Sequence, residues 1–145
     1  MKIVKLPYDL SVCKVKQLNN DILNKQFVFI GKTKKEISIV CETSEVPSDF
    51  TDREDGWKCF YIDGVLDFSL VGILAKISQI LADNGISTFA VSTYDTDYIL
   101  VKAEKFENVI KILQKEELDN GDEMHSYEEG LELLQGEIKD EDKDI

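Results

Sequence analysis

The sharpest hydrophobic pattern in the chain lies between Ser69 and Asn84. Apolar residues fall at 70, 73, 74, 77 and 81, and Val71 and Ile80 widen the stripe. This is a 3.6-residue period, and it predicts an amphipathic helix with Lys76, Gln79 and Asp83 turned to water. Asp67 or Ser69 can cap its start, and Gly85 can end it in the left-handed conformation. Strand-like runs flank it: "WKCFYID" at 57–63, "ISTFAVS" at 86–92 and "YILVKA" at 98–103, each rich in β-branched or aromatic residues. "KFENVIKILQK" then places Phe106, Val109, Ile110 and Leu113 on one helical face.

The order from Trp57 is therefore β-α-β-β-α, and one more strand would complete a ferredoxin-like βαββαβ unit of the α+β class. Two segments are candidates for that strand, "EMHSY" at 123–127 and the N-terminal "KIVKL". The first forty residues read as β. "KIVKL" stops at Pro7, "LSVCKV" follows at 10–15, and "FVFI" at 27–30 with "EISIV" at 36–40 reads as a hairpin joined through "GKTKK". The Asn-rich "QLNNDILNK" predicts no helix. Glu42 to Gly56 is polar, acidic and broken by Pro47, so it reads as a connector or a short turn of helix. Past Tyr127, Leu131, Leu134 and Ile138 fit either a weak amphipathic helix or a frayed tail.

With 145 residues, 43% of them hydrophobic, the chain suits one domain or two small ones sharing a core. Its formal net charge of −12 opposes phosphate backbones and anionic membranes. A quarter of that charge lies in the terminal "GEIKDEDKDI", an acidic tail. The N-terminus shows no apolar signal region, and no stretch reaches the ~20 apolar residues of a membrane helix. A soluble, cytoplasmic protein is expected. Cys13, Cys41 and Cys59 are far apart and lack metal-ligand spacing, so they read as small buried thiols.

Catalytic chemistry is scarce. Gly31-Lys32-Thr33 follows a strand, but Gln26 stands where a phosphate loop needs glycine, and "EISIV" reads as strand where that loop needs a helix. His125 is the sole histidine and has no ligand or triad partners at useful spacing. No enzyme, no metal and no cofactor are expected. A binding site is the remaining candidate. Asp67 and Ser69 sit just before a helix start with Gly72 in its first turn. Free amides there attract a carboxylate, and Asp67 would receive an ammonium, which suits the head of an amino acid. An ordinary cap with a glycine for close packing fits the same residues. "STYDTDY", 92–98, spends seven polar residues where a hairpin needs two; its turn narrows to Tyr94–Thr96, and Asp97 is the residue a bare turn least explains.

Three segments resemble the ACT-domain family: "KEISIVCETSEVP", "GWKCFYIDGVLDFSLVGILAKISQILADNGIS" and "FAVSTYDTDYILV". Together with the strands before them, the resemblance spans residues 9–113. It is similar to the arginine sensors of animal nutrient signalling and to the regulatory halves of aspartate kinases. The resemblance implies ACT modules in tandem with sheets paired side by side: a first, β-rich module over 1–50, a second over 51–127 and an acidic tail over 128–145. It implies a non-enzymatic sensor or regulatory protein that binds an amino acid between modules and forms a homodimer; a scaffold that has kept the fold and lost the ligand is the alternative. The implied ligand contacts are Asp67, Phe68, Ser69, Val71, Gly72, Ile73 and Leu74 at the helix start. Ser92, Thr93, Tyr94, Asp95 and Asp97 supply the other wall.

Overall fold

The computed structural model describes residues 2–63 and 70–116. Its elements run β1 (Lys2–Lys5), β2 (Leu10–Val15), α1 (Asn20–Leu23), β3 (Val28–Lys32), β4 (Ile37–Glu42) and β5 (Asp52–Asp63). After β5 come α2 (Leu70–Asp83), β6 (Thr88–Ser92), β7 (Asp97–Lys102) and α3 (Phe106–Lys115). The candidate strand at 123–127, His125, the segment past Tyr127 and the acidic tail lie outside the described residues. The chain divides into two compact units, Tyr8–Lys58 and a second made of Met1–Pro7 with Cys59 onward.

In the Tyr8–Lys58 unit the strand order is β3-β4-β2-β5. All pairs are antiparallel, with Val12↔Val40, Val28↔Cys41 and Val12↔Glu54 in register. Alternation puts Cys13, Val15, Ile39 and Cys41 on one face. There they close a core with Ile22 of α1. The sequence gives no expectation of α1, yet a single turn forms. Asn19 caps it, its side-chain oxygen accepting from the Ile22 N–H at 3.1 Å. One cap and one buried isoleucine hold a turn too short to show any period. β5 also starts five residues before Trp57, where the sequence reads as a polar connector. Asp52, Arg53 and Glu54 are exposed and pair with β2, so the ladder rather than hydrophobic burial recruits them. Leu10 to Val12 spans Trp57 to Glu54, a bulge that places Gly56 at φ 85°.

In the other unit the order is β6-β7-β5-β1. β1 pairs antiparallel with the second half of β5, Lys2↔Asp63 through Lys5↔Phe60. The N-terminal "KIVKL" thus takes the fourth-strand position of a ferredoxin-like sheet. β6 and β7 form the expected hairpin, Thr88↔Val101 through Ser92↔Asp97. The core joins Ile3, Phe60 and Ile99 from the sheet to Ile77 and Leu81 of α2 and to Phe106, Val109, Ile110 and Leu113 of α3. α2 ends as its sequence requires. Gly85 sits at φ 69°, its N–H donates to Ala82 O at 3.0 Å, and the Ile86 N–H reaches Leu81 O at 2.9 Å. That pair of bonds is a Schellman stop, with Ile86 and Leu81 supplying its hydrophobic contact. Among the described residues no helix is long and apolar enough to cross a membrane.

Candidate functional site

The two segments singled out in the sequence belong to the same unit. At the helix start, Gly72 is exposed, and no described residue lies within 4 Å of where a β-carbon would stand. Close packing within the described structure therefore does not call for this glycine. Ile73 and Leu74 are half-buried and pack against the core, so they anchor the helix. Asp67, Phe68 and Ser69 lie outside the described residues, as does the side chain of Val71.

The hairpin residues are better defined. Ser92 and Asp97 are cross-strand partners, and the Ser92 hydroxyl donates to Asp97 Oδ1 at 2.5 Å. One step further out, the Thr93 N–H donates to Thr96 O at 2.8 Å, and the Thr93 hydroxyl to the same oxygen at 3.2 Å. Tyr94 and Asp95 form the exposed tip, Tyr94 fully so. The structure therefore brings Ser92 and Asp97 together and closes the turn at Thr93 and Thr96. Their hydrogen bonds run within the hairpin. Chemically the tip offers a carboxylate and a phenol, and its base a carboxylate already holding one hydroxyl.

The Tyr8–Lys58 unit contains a polar network that the sequence does not announce. Ser11 is fully buried in an apolar strand, and its hydroxyl donates to Asp55 Oδ1 at 2.5 Å. It also lies 2.9 Å from the Thr43 hydroxyl. Arg53 Nε donates to the same Asp55 oxygen at 2.7 Å and Nη2 to Thr43 O at 3.4 Å, while the guanidinium stands over the Phe50 ring. The Arg53 hydrogen bond, then that of Ser11, holds the Asp55 carboxyl below its ordinary value. A buried polar side chain needs such partners, and every one of these bonds is internal. This network fixes β2 to β5 and to the turn after β4.

The three cysteines are buried, as their apolar surroundings imply. Cys13 faces Ile39 and Ser11 faces Cys41, so the first two thiols are diagonal neighbours on one face. Burial first, and then Cys13 beside it, pushes the Cys41 thiol up to about 12. Burial likewise raises Cys59. Neutral, enclosed thiols are poor nucleophiles and poor metal ligands. Among the described residues no three His, Cys, Asp or Glu side chains gather as a metal site.

Comparison with known proteins bears on residues 52–115, which match the ACT domain. A protein of Agobacterium tumefaciens with a crystal structure is 30% identical, over 79% of this chain and 87% of its own, with a TM-score of 0.71. A Vibrio cholerae protein of unknown function, described as a possible transport protein, is 19% identical over 79% of this chain and 88% of its own, at TM-score 0.63. The regulatory subunit of Thermus thermophilus aspartate kinase is 12% identical over 79% of this chain and 97% of its own, at TM-score 0.53. The last two are likenesses of fold. Among curated proteins none matches.

Proposed function

Since residues 52–115 match the ACT domain, we propose that the chain is a non-enzymatic regulatory protein that binds a free amino acid. The observation that carries this reading is the ACT-domain match over residues 52–115, which takes in both the α2 start and the β6–β7 hairpin. In the reading, amides at the start of α2 hold the ligand carboxylate. Asp67 and one of Asp95 and Asp97 receive its ammonium or a cationic side chain. The exposure of Gly72 among the described residues supports approach of a ligand there. The modules act in tandem, and the pocket is completed where modules of two copies of the chain meet in a cytoplasmic homodimer. A ligand that favours one association state shifts the population toward it.

A thermal-shift screen of the twenty amino acids on the full chain tests this. At least one should raise the melting temperature, and Asp67→Ala should remove that shift while leaving the unliganded melting temperature near that of the parent. If no amino acid at millimolar concentration moves the transition, the sensing role fails. The scaffold reading keeps one specific observation: the Asp97 carboxylate is engaged by Ser92 inside its own hairpin. Asp97→Asn separates the two. Loss of the ligand shift at unchanged stability assigns Asp97 to the ligand, whereas lowered stability at an unchanged shift assigns it to the hairpin.

A further inference from the structure

In a chain of net charge −12, five of the seventeen Lys and Arg residues line one recess of about 430 Å³ in the Tyr8–Lys58 unit. They are Lys14 from the end of β2, Lys16 just past it, Lys32 from the end of β3, and Lys34 and Lys35 from the β3–β4 turn. Two hydroxyl residues, Thr33 and Thr51, share the lining, and Glu36 is its one carboxylate. That carboxylate is already engaged, accepting from the Ser38 hydroxyl at 3.0 Å. Lys14 makes a long ion pair with Asp52, at 3.8 Å. Lys16, Lys32, Lys34 and Lys35 are exposed and make no ion pair among the described residues.

Lysines often guard the outer strand of a sheet against pairing with other chains. Lys32, on the outermost strand β3, fits that role. Lys14 does not: β2 is flanked by β4 and β5 and presents no open edge. Lysines of two separate segments, 14–16 and 32–35, converge on the recess, and their like charges repel at a cost that a bound anion would relieve. The hairpin beneath them is firm. The Thr33 N–H donates to Glu36 O at 2.9 Å, and the Lys35 and Glu36 N–H groups donate to Thr33 Oγ1 at 3.1 and 3.3 Å.

We propose that this recess binds a small phosphorylated molecule, its phosphate held by Lys32, Lys34 and Lys35 of the β3–β4 hairpin and by Lys14 and Lys16 at the end of β2. Ammonium groups suit phosphate as point charges. Its volume fits a compact ligand. The chain's overall negative charge disfavours a long polyanion such as nucleic acid. The site is independent of the amino-acid reading, which concerns residues of the other unit.

The test is a titration of the ¹⁵N-labelled full chain with inorganic pyrophosphate and with adenosine triphosphate, against sodium chloride at matched ionic strength. Saturable shifts confined to the amides of 32–36, 14–16 and Thr51 are expected with both phosphate probes. The triple variant Lys32→Gln, Lys34→Gln, Lys35→Gln should weaken binding about tenfold or more, and Lys111→Gln on α3 should leave it unchanged. Shifts no larger than those from sodium chloride would overturn the proposal, as would equal affinity in the triple variant. A single-stranded oligonucleotide that binds these residues while both probes fail would also overturn it, assigning the patch to nucleic acid.

Discussion

Two serine–aspartate hydrogen bonds in this chain have the same length and different surroundings. Ser11 donates to Asp55 at 2.5 Å from a fully buried position, and Ser92 donates to Asp97 at 2.5 Å on an exposed hairpin. Water can replace the second bond at both ends, whereas at the first it reaches the exposed Asp55 carboxylate but not the buried Ser11 hydroxyl. Ser11→Ala should therefore cost about 1.5–3 kcal/mol, the range for hydrogen bonds to charged groups, and Ser92→Ala less than about 1 kcal/mol. Urea denaturation of the two variants measures this. Equal losses would mean that burial does not set the difference. The two bonds also differ in how readable they are in sequence. Ser92 and Asp97 flank a short polar stretch between strands, so their pairing across a hairpin is foreseeable. Ser11 and Asp55 are 44 residues apart, and neither "LSVCKV" nor "DREDG" signals the other. A polar network formed by strand pairing across a long interval leaves no local pattern. The five-lysine recess is hidden for the same reason, because β2 and the β3–β4 turn meet only in the folded sheet.

Both units use the same strand order once β1 is counted last in its unit, with that last strand beside the first: β3-β4-β2-β5 in one and β6-β7-β5-β1 in the other. β5 takes part in both strand orders, and the N-terminal β1 fills the remaining place. Elements with a long buried stripe are legible: α2, α3 and the β6–β7 hairpin stand within about two residues of where the periodicity puts them. α1 and the start of β5 are not, since a single capped turn and an exposed polar strand carry no hydrophobic period. β1 lies between these cases. Its four residues read as a strand, but only the sheet says where it goes. Ile3 on β1 and Leu113 on α3 are both fully buried in one core, so the short terminal strand should matter as much as the ten-residue helix. Ile3→Ala and Leu113→Ala should each destabilise by about 2–5 kcal/mol. Denaturant melts compare them. A loss well under 1 kcal/mol for Ile3→Ala would show that β1 is a frayed end with no part in holding the sheet.

At the scale of the whole molecule, two effects make the fold sensitive to alkali, and salt tells them apart. The chain carries −12 near neutrality, and deprotonating lysines adds to its self-repulsion, an effect that salt screens. The buried thiols act separately. Burial raises Cys59 and Cys13, and Cys41 goes from 9.0 to about 12. The neutral thiol is the form the fold accepts, so each contribution is complete below the unfolded value near 9. It is lost as pH climbs toward the folded one. Above about pH 9, a fully enclosed thiol such as Cys59 should cost about 1.4 kcal/mol of stability per pH unit. Cys13 and Cys41 should cost less each, because the Arg53 guanidinium nearby partly offsets their burial. Burial in an apolar core is not screened, so the loss should survive high salt. Denaturant midpoints on both sides of pH 9, at low and high sodium chloride, measure the two components. Cys59→Ala should flatten the high-salt slope by one thiol's share, while lowering stability at neutral pH through the cavity it leaves. If the slope disappears in high salt, self-repulsion alone drives alkaline unfolding and the thiols have no part in it.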